Sequence, residues 1–342
     1  GQNDYGTTQD YEFFDPASST WVGEPTQELN VARANHVAVL LPGGSVLVAG
    51  GRNCSNYGKV YLILGRAEAD WGMDYDLSQA DASFLGEAVD DRIGRSATGV
   101  GDVNDDGFAD FLIGAISSDY TAEDAGQNYL FLGRASEGDA RYDPSRPWWG
   151  NDLPVTWADA SFVGEAAGDE SGRRVAWAGD VNGDGLDDML MQAALNDYTA
   201  PDAGITYLVL GREAADWGMH YPLALADASF VGEEVRDQSG RRMSGVGDVN
   251  HDGYDDFLTG APHNVEGATI LGISPGKSYL IYGRPEVDWG SYYPLAHADI
   301  IYTGKPEVGV AGYDNAWLED FNGDGIDDYL IAAFGGRNND DT

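Results

Sequence analysis

Asp102-Val-Asn104-Asp-Asp106-Gly107-Phe-Ala-Asp110 recurs three times further along the chain. The copies are Asp180-Val-Asn182-Gly-Asp184-Gly185-Leu-Asp-Asp188, Asp248-Val-Asn250-His-Asp252-Gly253-Tyr-Asp-Asp256 and Asp320-Phe-Asn322-Gly-Asp324-Gly325-Ile-Asp-Asp328. Oxygen side chains at positions 1, 3, 5 and 9 of one short loop are the donor set a hard cation needs. Glycine at position 6 permits the sharp turn, and the position-7 carbonyl can add a ligand. The expected ligands are Asp102, Asn104, Asp106, Asp110 and the carbonyl of Phe108, then Asp180, Asn182, Asp184, Asp188 and the carbonyl of Leu186. The other two sets are Asp248, Asn250, Asp252, Asp256 with Tyr254, and Asp320, Asn322, Asp324, Asp328 with Ile326. About four structural Ca²⁺ are therefore expected, saturated by protein oxygens and leaving little room for substrate. The extra acids Asp105, Asp187, Asp255 and Asp327 lie off the ligand spacing and are expected to face water.

These loops are not EF-hands. The bidentate Glu of position 12 is replaced by Ile113, Met191, Thr259 and Ile331, and runs such as Phe111-Leu-Ile113 have strand rather than helix character. Other landmarks keep step with the loops, which begin at 102, 180, 248 and 320. Tyr-Leu-x-Leu/Tyr-Gly-Arg recurs at Tyr61, Tyr129, Tyr207 and Tyr279, and Ala-Ser-Phe-x-Gly-Glu at Ala82, Ala160 and Ala228. Four strands are expected per unit, for example around Phe84, Ser96–Val100, Phe111–Ala115 and Tyr129–Leu132. Repeats of about seventy residues with four strands imply propeller blades.

In register, Phe-x-Gly, Gly-Arg, the acidic loop and Gly-Ala elements resemble the FG-GAP repeat of integrin α-subunit heads, from residue 59 to about 335. The resemblance implies a β-propeller with its Ca²⁺ loops on one face, joining the two inner strands of each blade, and ligand-binding loops on the other. The stretch from Tyr11 to Gly51 resembles a single kelch repeat, with Pro42-Gly43-Gly44 in place of an acidic loop, so no metal is expected there. The expected fold is all-β: one propeller of five blades over 1–342. Residues 1–66 supply the kelch-like hybrid blade and the closing strand, 67–134, 135–212 and 213–284 three FG-GAP blades, and 285–342 an incomplete one. Tyr11–Phe14 would complete the last blade and close the ring, leaving no open sheet edge. The tryptophans of linkers at Trp71, Trp217 and Trp289 are expected to pack between blades.

The composition bounds the partners. With 58 acidic against 19 basic residues, the net charge of −39 excludes nucleic acid and anionic membrane as partners, and no apolar run is long enough to insert in a bilayer. Four Ca²⁺ would offset only 4 × 2 = 8 of those charges. A single cysteine, Cys54, excludes an internal disulfide. Because Gly1 is not an initiator methionine and such loops fill where calcium is millimolar, the expected location is extracellular, cell-surface or periplasmic, as a processed secreted protein.

Arg33, Arg95, Arg173 and Arg241 stand at equivalent points at the start of the innermost strands, with Tyr313 in the fifth place. They would bring guanidiniums to one channel mouth, a candidate anion or carboxylate site. Alternatively, each pairs with a nearby acid such as Glu87, Glu165 or Glu233. Enzyme signatures are lacking. The histidines are scattered, and the Gly272-Ile-Ser274-Pro275-Gly276 match places a proline where an oxyanion N–H is needed. Cys54 near Tyr57 lacks the His and Tyr ligands of a copper oxidase. The expected function is non-catalytic: adhesion or a structural scaffold, with a protein or glycan partner or self-assembly. The alternative is a lectin-like carbohydrate- or anion-binding module using the arginines.

Overall fold

The structure, a computed structural model, describes residues 57–65, 76–135, 140–141, 143–144, 149–265, 274–305 and 309–335, with the backbone of four short strands before residue 50. It is built from β-sheets with only single-turn 3₁₀ segments between them. Strands β1 (Phe13–Asp15) and β2 (Thr20–Val22) form an antiparallel pair. The first large sheet runs β3 (Val37–Leu40), β4 (Val46–Ala49), β5 (Lys59–Ile63) and β6 (Ala82–Leu85), all antiparallel.

The second sheet begins with β7 (Ile93–Gly101), β8 (Asp110–Ala115) and β9 (Gln127–Phe131). The chain then returns to lay β10 (Leu153–Pro154) parallel on β6, before β11 (Ala160–Val163) completes the second sheet. The third sheet repeats this plan with β12 (Val175–Gly179), β13 (Asp188–Ala193) and β14 (Ile205–Val209). A return strand β15 (Tyr221–Pro222) lies on β11, and β16 (Ala228–Val231) completes the sheet. The fourth has β17 (Arg242–Gly247), β18 (Asp256–Ala261) and β19 (Lys277–Ile281), a return strand β20 (Tyr293–Pro294) on β16, and β21 (Ile300–Thr303). Strands β22 (Gly309–Trp317) and β23 (Tyr329–Gly335) pair alone. The return strands cover outer edges that would otherwise offer free N–H and C=O groups.

Two expectations differ from this topology. The Phe84-type strand does not open its own sheet. β6, β11, β16 and β21 are the fourth strands of the preceding sheets, so sequence repeat and sheet are offset by one strand. A cyclic repeat reads the same wherever it is cut, and only the hydrogen bonds choose the cut. Secondly, β1 pairs with β2 and not with β23, so the ring-closing pairing is not formed among the described residues.

Every residue of β8, β13 and β18 is buried, as second strands covered on both faces must be. Aromatic side chains fill the spaces between sheets. Phe84 lies 5.6 Å from Phe111 and 4.5 Å from Phe131, and Phe230 lies 5.3 Å from Phe257. The linker tryptophans join these clusters: Trp217 meets Phe162 and Trp289 meets Phe230, both buried. Arg134, Arg212 and Arg284 lie over Trp149, Trp217 and Trp289. Trp71 lies outside the described residues. Innermost strands are neighbours in chain order: β3 beside β7, β7 beside β12, β12 beside β17, and β17 beside β22.

Candidate metal loops and the opposite strand ends

All four acidic nonapeptides join an innermost strand to its second strand: β7 to β8, β12 to β13, β17 to β18 and β22 to β23. Their fold follows from Asp side chains capping their own backbone. The position-1 carboxylate accepts the position-6 glycine N–H at 2.8 Å in each loop, through Asp102, Asp180, Asp248 and Asp320. The position-5 carboxylate accepts the position-7 N–H at 2.9–3.1 Å. Position 9 is different in kind. Asp110, Asp188 and Asp256 are buried, each with one oxygen on the position-2 N–H and the other on Gly133, Gly211 or Gly283. Burial pushes these carboxyls up, to about 7, 8 and 7, and the position-5 and position-1 carboxylates add to it. Asp328 of the last loop is only half-buried; among the described residues its sheet has no third strand to supply the glycine.

With the carboxylates turned onto N–H groups, no group of three or more His, Cys, Asp or Glu side chains converges on a metal position among the described residues. The donor chemistry nevertheless fits a hard cation. Asn104 Oδ1 is buried with no hydrogen-bond partner, and the burdened position-9 carboxyl lies beside two other acids. In the middle loops the equivalent Asn182 and Asn250 oxygens accept the position-5 N–H at 2.9 and 3.0 Å.

The position-8 acids do not face water. Asp187 Oδ2 accepts the Asp102 N–H of the preceding sheet at 2.8 Å, Asp255 that of Asp180 at 2.9 Å, and Asp327 that of Asp248 at 3.1 Å. Asp187 N–H and Asp255 N–H return to the Asp102 and Asp180 carbonyls. These are sheet-to-sheet clasps, and they explain the glycine before each loop. A Cβ on Gly101, Gly179 or Gly247 would stand 2.0–2.3 Å from the clasping carboxylate, and all three have positive φ. Only Asp105 is exposed as expected. Trp177 Nε1 donates to Asp187 Oδ1, and its ring meets Trp317 of the last sheet at 5.1 Å. Gly99 and Gly245 hold the corresponding positions of the second and fourth sheets, which leaves room for that contact.

At the other strand ends, each innermost strand is entered through a positive-φ glycine: Gly94, Gly172, Gly240 and Gly312. Arg95, Arg173, Arg241 and Tyr313 follow, as aligned in the sequence; Arg33 lies outside the described residues. The acids offered as their partners are otherwise engaged. Glu87 accepts from Tyr129 Oη at 3.0 Å, Glu165 from Tyr207 at 2.8 Å and Glu233 from Tyr279 at 2.6 Å, each bond crossing between adjacent sheets. Arg173 pairs instead with Glu170, and Arg241 with Gln238 and with His263 Nε2 at 2.9 Å. The next column, Ser96, Arg174, Arg242 and Asp314, adds two arginines that sequence reading passed over; Arg242 lies 3.6 Å from Asp314.

Residues 244–272, spanning most of β17, the third acidic loop and β18, match the FG-GAP repeat. The chain is 26% identical over 188 residues to integrin alpha-PS2 and 35% identical over 180 residues to integrin alpha-PS5, both of Drosophila melanogaster. It is 26% identical over 189 residues to integrin alpha-5 of Xenopus laevis. Each match takes in 51% of this chain but only 12% to 16% of the relative's length. An all-β chain with one stretch that matches the FG-GAP repeat is thus similar in sequence to integrin α chains over half its length. Among the described residues no helix is long and apolar enough to cross a membrane.

The clasps were the chief omission of the sequence reading, and a signal for them existed. Gly101, Gly179 and Gly247 precede loops whose next repeat carries Asp187, Asp255 and Asp327; Glu319 replaces the glycine before the last loop.

Proposed function

We propose that this chain is a calcium-stabilised propeller of five blades over 1–342 that works outside the cell as a non-catalytic, adhesion-related binding module. Similarity to integrin α chains, together with acidic loops that all lie at the same strand ends, is the observation behind this reading. Asp102, Asn104, Asp106 and Asp110, with their counterparts in the other loops and the position-7 carbonyls, would hold the ions. Bound calcium neutralises mutually repelling carboxylates and stabilises the hairpins they cap. The first sheet is the kelch-like blade, and β23 presents the edge of the last sheet to a further strand. That edge has exposed Leu330 and Phe334 beside it, the apolar surface a further strand would cover. The partner is a protein or glycan, or a further copy of this chain.

Thermal unfolding with excess EDTA and with calcium restored, together with ion counting by native mass spectrometry, tests the stabilisation. About four Ca²⁺ per chain and a calcium-dependent rise in Tm are expected. No bound calcium and an unchanged Tm would reduce the loops to plain turns and remove the physical basis of the reading. Retention on immobilised extracellular-matrix proteins or a glycan array, lost in EDTA, tests the adhesion role.

A further inference from the structure

Five arginines gather where the innermost strands begin, in a chain of net charge −39. Arg95 opens β7, Arg173 and Arg174 lead into β12, and Arg241 and Arg242 lead into β17, on strands that are neighbours in space. Two carboxylates are bound into this group, Glu170 on Arg173 and Asp314 near Arg242, so 5 − 2 = 3 formal positive charges remain. Among the described residues, neither the Arg95 nor the Arg174 guanidinium has a hydrogen bond or ion pair; the Arg174 carbonyl accepts the Gln192 N–H at 3.2 Å. Arg173 Nε is buried and lacks a hydrogen-bond partner, while Arg242 Nε faces Asp314 Oδ1 at 3.6 Å, beyond hydrogen-bond reach. Beneath them Gln192, fully buried on β13, has both amide atoms unpartnered.

Charges this close oppose one another. Burial, then Arg95 and Arg241, holds the Arg173 guanidinium below its ordinary range. Arg174 is pushed down to about 10 by burial and Arg242, against the pull of Asp314. The glutamates of the Phe-x-Gly-Glu elements accept from Tyr129, Tyr207 and Tyr279, and Glu233 also pairs with Lys277, rather than with these arginines. Towards the opposite strand ends Trp177 meets Trp317, three residues or about 10 Å of strand beyond Arg174.

We propose that Arg95, Arg173, Arg174, Arg241 and Arg242 form a binding site for a small multivalent oxyanion of the sulfate or dicarboxylate class. Guanidinium forks meet paired oxygens of such an anion with two parallel hydrogen bonds, which chloride does not offer. Positive charge at these strand starts also draws anions selectively through the repulsive field of the rest of the surface.

Isothermal titration of the full, calcium-saturated chain with sodium sulfate and, separately, sodium malonate tests the site, with ionic strength held constant by sodium chloride. Saturable binding of at least one anion is expected, weakened about tenfold or more in both Arg95→Gln and Arg174→Gln, the scale of one lost charged hydrogen bond. Arg95 is exposed, so its replacement leaves the fold intact. Arg174→Gln removes like-charge crowding, so its Tm without anion should not fall. Absence of saturable heat with both anions, or undiminished binding in both variants, overturns the proposal. Calcium stays saturating throughout, so failure here leaves the adhesion reading untouched.

Discussion

The seam between the first and second sheets and the seam between the third and fourth are built from the same repeat but joined differently. The latter has an outer bond, Glu233 to Tyr279, and an inner clasp, Asp255 on the Asp180 N–H. The former keeps the outer bond, Glu87 to Tyr129, but has exposed Ala109 where the clasping aspartate would be. The preceding hairpin carries Pro42-Gly43-Gly44 in sequence and offers no acidic loop to clasp. The seam to the last sheet shows the reverse: Asp327 clasps Asp248, while Lys305 stands where the glutamate of the earlier repeats would be. Inner and outer fastenings are thus separable, and each is present only where both of its partners exist.

The comparison is broken most severely by Gly179→Ala. Its Cβ would stand 2.3 Å from the Asp255 carboxylate at φ +86°, so clasp and backbone suffer together, and a loss of about 2–4 kcal/mol is expected in urea unfolding at saturating calcium. Asp255→Ala removes only the acceptor and leaves the Asp180 N–H unpaired; about 1–3 kcal/mol is expected from the same measurement. Tyr129→Phe should cost about 1–2 kcal/mol. At that seam no inner clasp remains, so amide exchange in β5 and β9 should accelerate more than exchange in β9 and β14 does for Tyr207→Phe. Equal acceleration would mean that the clasps do not hold the seams. The smallest effect belongs to Ala109→Asp, expected within about 0.5 kcal/mol of the parent, because an exposed aspartate there finds no N–H to clasp. A gain of more than that would show that the first hairpin supplies one.

The acidic loops were legible as turns between an inner and a second strand because their pattern is local: Asp102, Asn104, Asp106 and Asp110 lie within nine residues, and side-chain capping within that span fixes their shape. The linker tryptophans were legible because a large apolar ring beside a glycine turn has few places to go but the core. Asp187, Asp255 and Asp327 were misread as solvent-facing because their partners are some 75–85 residues away in sequence, in another sheet. Judged within their own loops, they had no visible role. Similarly, Glu87, Glu165 and Glu233 were offered to the arginines, since nothing local tells that a tyrosine of the next sheet reaches them first. The one-strand offset was illegible for a different reason: a strand between two repeats has the same pattern whichever neighbour it joins.

The contact of Trp177 with Trp317 joins rings 140 residues apart in sequence, at 5.1 Å and inclined by 40°. Two indoles so near and so skewed couple their electronic transitions, giving a paired positive and negative band in circular dichroism that neither ring gives alone. The molecule thus carries its own optical gauge of whether the last sheet is docked against the third, readable without a label and abolished by replacing either tryptophan with phenylalanine.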